Sequence, residues 1–116
     1  MNGITSKLVT LCASIFIATV CMAKEVNREG AEALMAECQQ QRAANIAPLK
    51  EQAIEDCVAR NLKDREACER HNRNFGERTH GGRQPGLFWE LPICTDAVAA
   101  ERYFRMNPGR VTYTLE

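Results

Sequence analysis

The six cysteines of this 116-residue chain are its most chemically versatile side chains, because a thiol can form a disulfide, ligate a metal or act as a nucleophile. Two of them, Cys12 and Cys21, lie in an uncharged stretch near the N-terminus. The others are Cys38, Cys57, Cys68 and Cys94. Neither the Cys-x-x-Cys spacing of redox enzymes nor the Cys-x-x-Cys-His of attached haem occurs. An even number of widely spaced cysteines in a short exported chain is typical of a disulfide framework.

Residues 1–23 have the pattern of a secretory signal peptide. A polar start that contains Lys7 precedes a 16-residue uncharged run, which ends at Ala23 and is followed by Lys24-Glu25. We therefore expect cleavage after Ala23, a mature domain of residues 24–116, and no stable membrane span after cleavage. The alternative is a retained membrane anchor, although the run is shorter than the roughly 20 residues that cross a bilayer.

Metal binding is the alternative use of the later cysteines. The candidate ligand set is Cys68, His71, His80 and Cys94. Cys68 and His71 would lie one turn apart on a helix, which is a suitable spacing for two zinc ligands. Oxidation competes for thiols in an exported protein, so we expect disulfides and no cofactor. The mature chain contains no serine, and no other constellation of side chains indicates an enzyme.

Helices are the elements that we expect to position the cysteines. Asn27 is a good N-cap for a helix over 28–45, and one face of it would carry Ala31, Leu34, Met35, Cys38 and Arg42. Pro48 is tolerated in the first turn of a helix and not in its middle, so a second helix is predicted from Pro48 to Asn72–Asn74. A single kinked helix through Pro48 is the alternative.

The rest of the chain predicts a loop, a third helix and an extended tail. Four of the seven glycines lie in 76–86, which indicates a loop. Thr95 or Asp96 can cap a third helix that ends at Met106. Residues 111–115 alternate apolar and polar side chains, as a strand does, without an evident partner strand. The predicted fold class is thus all-α: a helix hairpin plus a third helix, stapled by two disulfides, with a glycine-rich loop and a short extended C-terminal tail.

The predicted helices limit the cysteine pairing. In a continuous second helix, Cys57 and Cys68 are about 16 Å apart, whereas the Cα atoms of a disulfide lie roughly 4.4–6.8 Å apart. Cys38 then pairs with either Cys57 or Cys68. A hairpin that turns near 45–47 places Cys38 opposite Cys57, so we predict Cys38–Cys57 and Cys68–Cys94.

Charge is balanced overall and uneven along the chain. Fifteen basic residues match fifteen acidic ones, so nothing marks the protein as a nucleic-acid binder. Residues 60–83 nevertheless carry seven basic and four acidic groups, and an aromatic pair follows the glycine-rich loop. The candidate binding residues are Arg73, Arg78, His80, Arg83, Phe88 and Trp89.

Arginine and tryptophan are the side chains most enriched at the centres of protein interfaces. We therefore expect a periplasmic or secreted, non-enzymatic protein of the cell envelope that presents segment 73–90 to an envelope protein or an anionic ligand. The alternative for this segment is a flexible connector whose aromatic side chains fold into the core.

Overall fold

The structure is a computed structural model and describes residues 23–61, 64–79, 81 and 85–116. The elements within these ranges are, in chain order, β1 (Lys24–Val26), α1 (Arg28–Asn61), α2 (Arg65–His71), α3 (Pro92–Met106) and β2 (Tyr113–Leu115). The helical fold with two disulfides is confirmed. Apart from Ala23, the predicted signal peptide lies outside the described residues. None of the helices in the described ranges combines the length and apolar character needed to cross a membrane.

The first helix begins where the sequence predicts. The Oδ1 atom of Asn27 accepts a hydrogen bond from the Gly30 amide at 2.7 Å, and the Asn27 carbonyl accepts one from the Ala31 amide at 2.9 Å. This is the expected N-cap, because the side-chain oxygen satisfies an amide that has no partner inside the helix.

The predicted break near 45–47 is wrong, and the single-helix alternative is correct, since α1 runs for 34 residues through Pro48. Proline removes one hydrogen bond to the carbonyl four residues earlier, here that of Ala44. Both Ala44 and Pro48 are exposed, so water can reach that carbonyl. Ile46 and Ile54 are buried on either side of Pro48, so packing holds both halves of the helix.

The hairpin turns after Asn61 instead, and α2 begins at Arg65. Asp64 caps α2, because its Oδ1 atom accepts a hydrogen bond from the Ala67 amide at 2.7 Å. The chain reversal brings Cys57 and Cys68 to a Cα–Cα distance of 5.8 Å, where they form a disulfide. The 16 Å separation expected from a continuous helix does not exist.

The predicted pairing Cys38–Cys57 and Cys68–Cys94 is therefore wrong, and the other disulfide joins Cys38 to Cys94 at a Cα–Cα distance of 4.8 Å. The physical reason is that α1 is uninterrupted: Cys38 and Cys57 lie far apart along the same helix and cannot pair. Cys38 is left beside α3, and Cys57 lies at the hairpin tip.

The larger core lies where α1, α3 and the two strands meet, and we call this end of the molecule the base. Its buried residues are Val26, Ala31, Leu34, Cys38, Cys94, Ala97, Ala100, Phe104 and Leu115. The predicted third helix is confirmed, but the predicted cap at Thr95 or Asp96 is wrong. The helix starts at Pro92, since proline suits the first turn, and its N-cap is Leu91, which makes no side-chain capping bond. The C-terminal tail forms β2, and its partner is β1, antiparallel to it with Val26 opposite Tyr113.

Candidate functional site

An open groove of about 1070 Å³ lies at the base, between α3, the segment around Trp89, and β2. We call it the basic groove. Its lining includes three arginines and a run of apolar and aromatic side chains. The members used below are Arg78, Trp89, Val98, Arg102, Arg105, Met106 and Tyr113.

One wall of the basic groove is a stripe on the surface of α3. Val98, Arg102 and Met106 are spaced by four residues, so they lie in a row along the helix beside its buried face. Val98 is 45 % exposed and Met106 is 70 % exposed. Large apolar side chains left in water next to an arginine are typical of a surface that binds something.

Two contacts hold α3 in place: a disulfide to α1 and an aromatic stack on β2. Cys94, in the first turns of α3, is bonded to Cys38 of α1. Tyr103 stacks on Tyr113 of β2, with ring centroids 4.6 Å apart. The groove is therefore formed before any partner arrives, which lowers the ordering cost of binding.

The opposite side of the groove depends on Arg42, the single buried charged residue among the described positions, which is 1 % exposed. Its guanidinium carbon lies 4.2 Å from the centroid of the Trp89 ring, a cation–π contact. Arg42 also donates to Gln39 Oε1 at 2.7 Å and to Glu77 Oε2 at 3.3 Å. A buried guanidinium needs such partners, because desolvating its charge is costly.

Arg42 also ties together the two ends of the loop that precedes Trp89. Its Nε atom donates to the Leu87 carbonyl at 2.7 Å, and Nη2 donates to the Gly76 carbonyl at 3.3 Å. The Leu87 amide donates to the same Gly76 carbonyl at 2.8 Å. One side chain thus fixes where the loop leaves and rejoins the fold, and with it the position of Trp89.

The backbone around Trp89 leaves little space for change. A Cβ atom on Gly86 would lie 2.8 Å from the Trp89 Nε1 atom and 3.0 Å from Nη2 of Arg42, so glycine is required there. Phe88 has a φ of 63°, in the left-handed region that non-glycine residues rarely adopt. Phe88 follows directly on the Leu87 carbonyl that Arg42 binds, so the unusual conformation lies where the loop is held most firmly.

Charge in the groove is unevenly compensated. Glu101 pairs with Arg105 at 3.4 Å, one turn apart on α3. Within the described part of the chain, neither Arg78 nor Arg102 forms an ion pair. The groove therefore presents two guanidinium groups without acidic partners beside apolar surface.

The structure separates the residues of the predicted binding set. Arg78 and Trp89 line the basic groove, and Trp89 also packs against the base core. Arg73 is exposed and does not line it, and its carbonyl accepts a hydrogen bond from Lys50 at 3.0 Å. Phe88 is half-buried and is also outside the lining. His80 and Arg83 lie outside the described residues.

The candidate metal set is not assembled in this oxidised form. Cys68 is bonded to Cys57 and Cys94 to Cys38, so a site with both thiolates would require two disulfides to open. His71 is exposed on α2, and His80 is not among the described residues. In the described ranges, no three histidine, cysteine or acidic side chains cluster as metal ligands do.

The α3 stripe and Arg42 are not among the binding residues predicted from the sequence. A signal for the stripe was available, because Val98 and Met106 are large apolar residues on the solvent side of a helix whose buried face is Ala97, Ala100 and Phe104. Arg42 was placed on the buried face of α1, where an arginine needs partners, and that requirement was the available signal.

Comparison with protein-family models, with curated proteins and with solved structures finds no match to this chain.

Proposed function

We propose that this chain is an exported, non-enzymatic binding protein of the cell envelope, periplasmic or secreted, and that it holds a partner in the basic groove. The groove is the observation that carries this proposal. It gathers Arg78 and Trp89 from the segment singled out in the sequence and adds the exposed stripe of α3.

The two disulfides support a location outside the cytoplasm. Disulfides persist in oxidising compartments and are rare in the cytosol, so the pairs Cys38–Cys94 and Cys57–Cys68 are consistent with a non-cytoplasmic protein. The pattern of residues 1–23 supports the same conclusion, since a basic start, an apolar run and a small residue before the charged Lys24 direct a chain to export.

The chemistry of the groove supports binding. Arginine, tryptophan, tyrosine and methionine are the residue types enriched at protein interfaces, and all four line the groove. Its walls are fixed by a disulfide, a tyrosine stack and the Arg42 contacts. A surface held in this way, whose Arg78 and Arg102 have no acidic partner among the described residues, is suited to recognition.

Export is tested by intact-mass measurement on protein isolated from the cell envelope of the source organism. We expect a chain that begins at Lys24 with two disulfides and no free thiol. A mass that still includes residues 1–23 would contradict the cleavage and indicate an anchored protein.

Binding through the groove is tested by photo-crosslinking in intact cells, with a photoreactive phenylalanine analogue in place of Val98. The control carries the same analogue at Glu55, which is exposed near the hairpin tip. We expect a discrete adduct from position 98 and none from position 55. The proposal fails if position 98 gives no adduct, or if both positions give the same adducts.

A further inference from the structure

The spacing of the α3 stripe matches that of an extended peptide. Residues four apart on a helix are separated by about 6 Å along its axis, so Val98, Arg102 and Met106 span about 12 Å. In an extended chain, side chains on one face recur every two residues, about 6.6–6.8 Å apart. A peptide lying along α3 can therefore place alternate side chains opposite the three members of the stripe.

The chemistry of the stripe specifies what those alternate side chains are. Val98 and Met106 are exposed apolar contacts on either side of Arg102. Arg102 has no acidic partner among the described residues, whereas neighbouring Arg105 pairs with Glu101 at 3.4 Å. Arginine forms its strongest hydrogen bonds with anionic oxygens, and in an unmodified peptide these belong to carboxylates.

Arg78 adds a second positive charge to the same groove, which strengthens the preference for an acidic partner. The groove is concave and flanked by the Trp89 segment and β2. A narrow segment of chain fits between such walls, whereas a flat lipid surface contacts a convex face. These observations favour a peptide over a membrane.

We infer, building on the proposed function, that the basic groove binds an extended segment of a partner protein with the pattern apolar–x–acidic–x–apolar. The carboxylate pairs with Arg102, and the two apolar side chains contact Val98 and Met106. The intervening side chains point away from α3 and make no contact with the stripe.

Fluorescence anisotropy with three labelled peptides tests the inference on the oxidised protein purified from the envelope. The first peptide has the core Leu-Thr-Asp-Thr-Leu. The second replaces aspartate by asparagine, and the third has the core Leu-Asp-Thr-Thr-Leu, which keeps the composition and moves the carboxylate out of register. We expect the first peptide to bind at least about tenfold more tightly than the other two, because each of these loses a charge-assisted pair.

Two charge-matched variants assign that binding to the groove. Arg102→Gln should weaken the first peptide about tenfold, with an unchanged melting temperature, because Arg102 is exposed. Arg110→Gln removes the same charge from an exposed position outside the groove lining and should leave binding unchanged. Equal weakening by both variants would indicate a general charge effect and overturn the inference.

Other outcomes would also overturn it. These are equal binding of all three peptides, no peptide binding, Arg102-dependent binding to phosphatidylglycerol vesicles alone, and Arg102-dependent dimerisation of the chain. The proposed function fails separately. If position 98 still crosslinks a partner while no peptide binds, the groove is a binding site for other chemistry; if neither occurs, both proposals are wrong.

Discussion

The base and the hairpin tip are each closed by one disulfide, but they differ in how much apolar surface supports that bond. At the base, Cys38–Cys94 lies within a core drawn from two helices and two strands. At the tip, the buried cluster consists of Ile54, Cys57 and Cys68. The bond at the base therefore reinforces a core, whereas the bond at the tip makes up most of one.

Ion pairs on the surface of the tip do not replace the larger core that the base has. Arg65 at the start of α2 donates to Glu51 of α1 and, at 2.9 Å, to Glu69. The hydrogen bond that Arg65 donates to Glu51, followed by the negative charge of Glu51, raises the pKa of Arg65. These groups are exposed, and exposed ion pairs contribute little to stability. The candidate groove therefore lies at the end of the molecule that is held together by the larger packed core.

Removing the base disulfide should have the largest effect. It closes a sequence separation of 56 residues, which corresponds to about 4 kcal/mol in the chain-entropy model. We expect the Cys38→Ala/Cys94→Ala double variant to lose about that much free energy of unfolding, together with the groove. Urea denaturation and peptide anisotropy measure the two losses. Retained peptide binding would show that the groove does not depend on this bond.

Removing the tip disulfide should cost less and act locally. Its separation of 11 residues corresponds to about 3 kcal/mol in the same model. In the Cys57→Ala/Cys68→Ala variant, we expect amide protection from hydrogen exchange to fall in α2 and to persist in α3. Equal loss of protection in both helices would mean that base and tip unfold as one unit, and the comparison would be wrong.

Arg42 lies between the two regions and should matter mainly for the base. Arg42→Met keeps much of the apolar volume and removes the hydrogen bonds to Leu87, Gly76, Gln39 and Glu77. We expect a loss of about 2 kcal/mol, because the part-buried hydrogen bonds of the guanidinium and its contact with Trp89 are lost together. The matched control is Arg60→Met at the exposed end of α1, which should stay within about 0.5 kcal/mol of the parent. Trp89 fluorescence should shift in the first variant and not in the second.

Alanine at two loop glycines should have the smallest effects on stability, and comparing the two separates the cost of packing from the cost of backbone strain. Gly76 and Gly81 both have a φ of +83°, but a Cβ atom on Gly76 would lie 2.9 Å from Ile46, whereas one on Gly81 meets nothing within 4 Å. Gly81→Ala should cost about 1 kcal/mol from backbone strain alone. Gly76→Ala should cost about 1 kcal/mol more, since Ile46 must move. Equal thermal stabilities would show that the loop yields without disturbing α1.

Local chemistry explains the parts of the fold that could be predicted. The Asn27 cap and the buried stripes of α1 and α3 follow from side-chain type and helical period, which need no knowledge of distant contacts. The break at Pro48 could not be judged in that way. Proline disfavours a helix interior locally, and here packing of Ile46 and Ile54 on both sides outweighs that cost.

The residues of the candidate groove could likewise be predicted only in part. Arg78 and Trp89 could be singled out from residue type and from their place beside a glycine-rich loop. Their meeting with Val98, Arg102 and Met106 could not, because it depends on how α3 lies against the loop and β2. Arg42, which is 47 residues before Trp89, was likewise outside the reach of a local pattern.

The sequence by itself determined the helical class, the Asn27 cap of α1 and the use of four cysteines in two disulfides, since each of these depends on neighbouring residues or on a count. Only the tertiary structure decided which cysteines pair and where the groove lies. The physical reason is the reversal after Asn61, because moving the turn from 45–47 to that point places Cys57 opposite Cys68 and leaves Cys38 beside α3. A contact between distant residues depends on the path of the chain between them, and the position of the reversal between α1 and α2 decides that path.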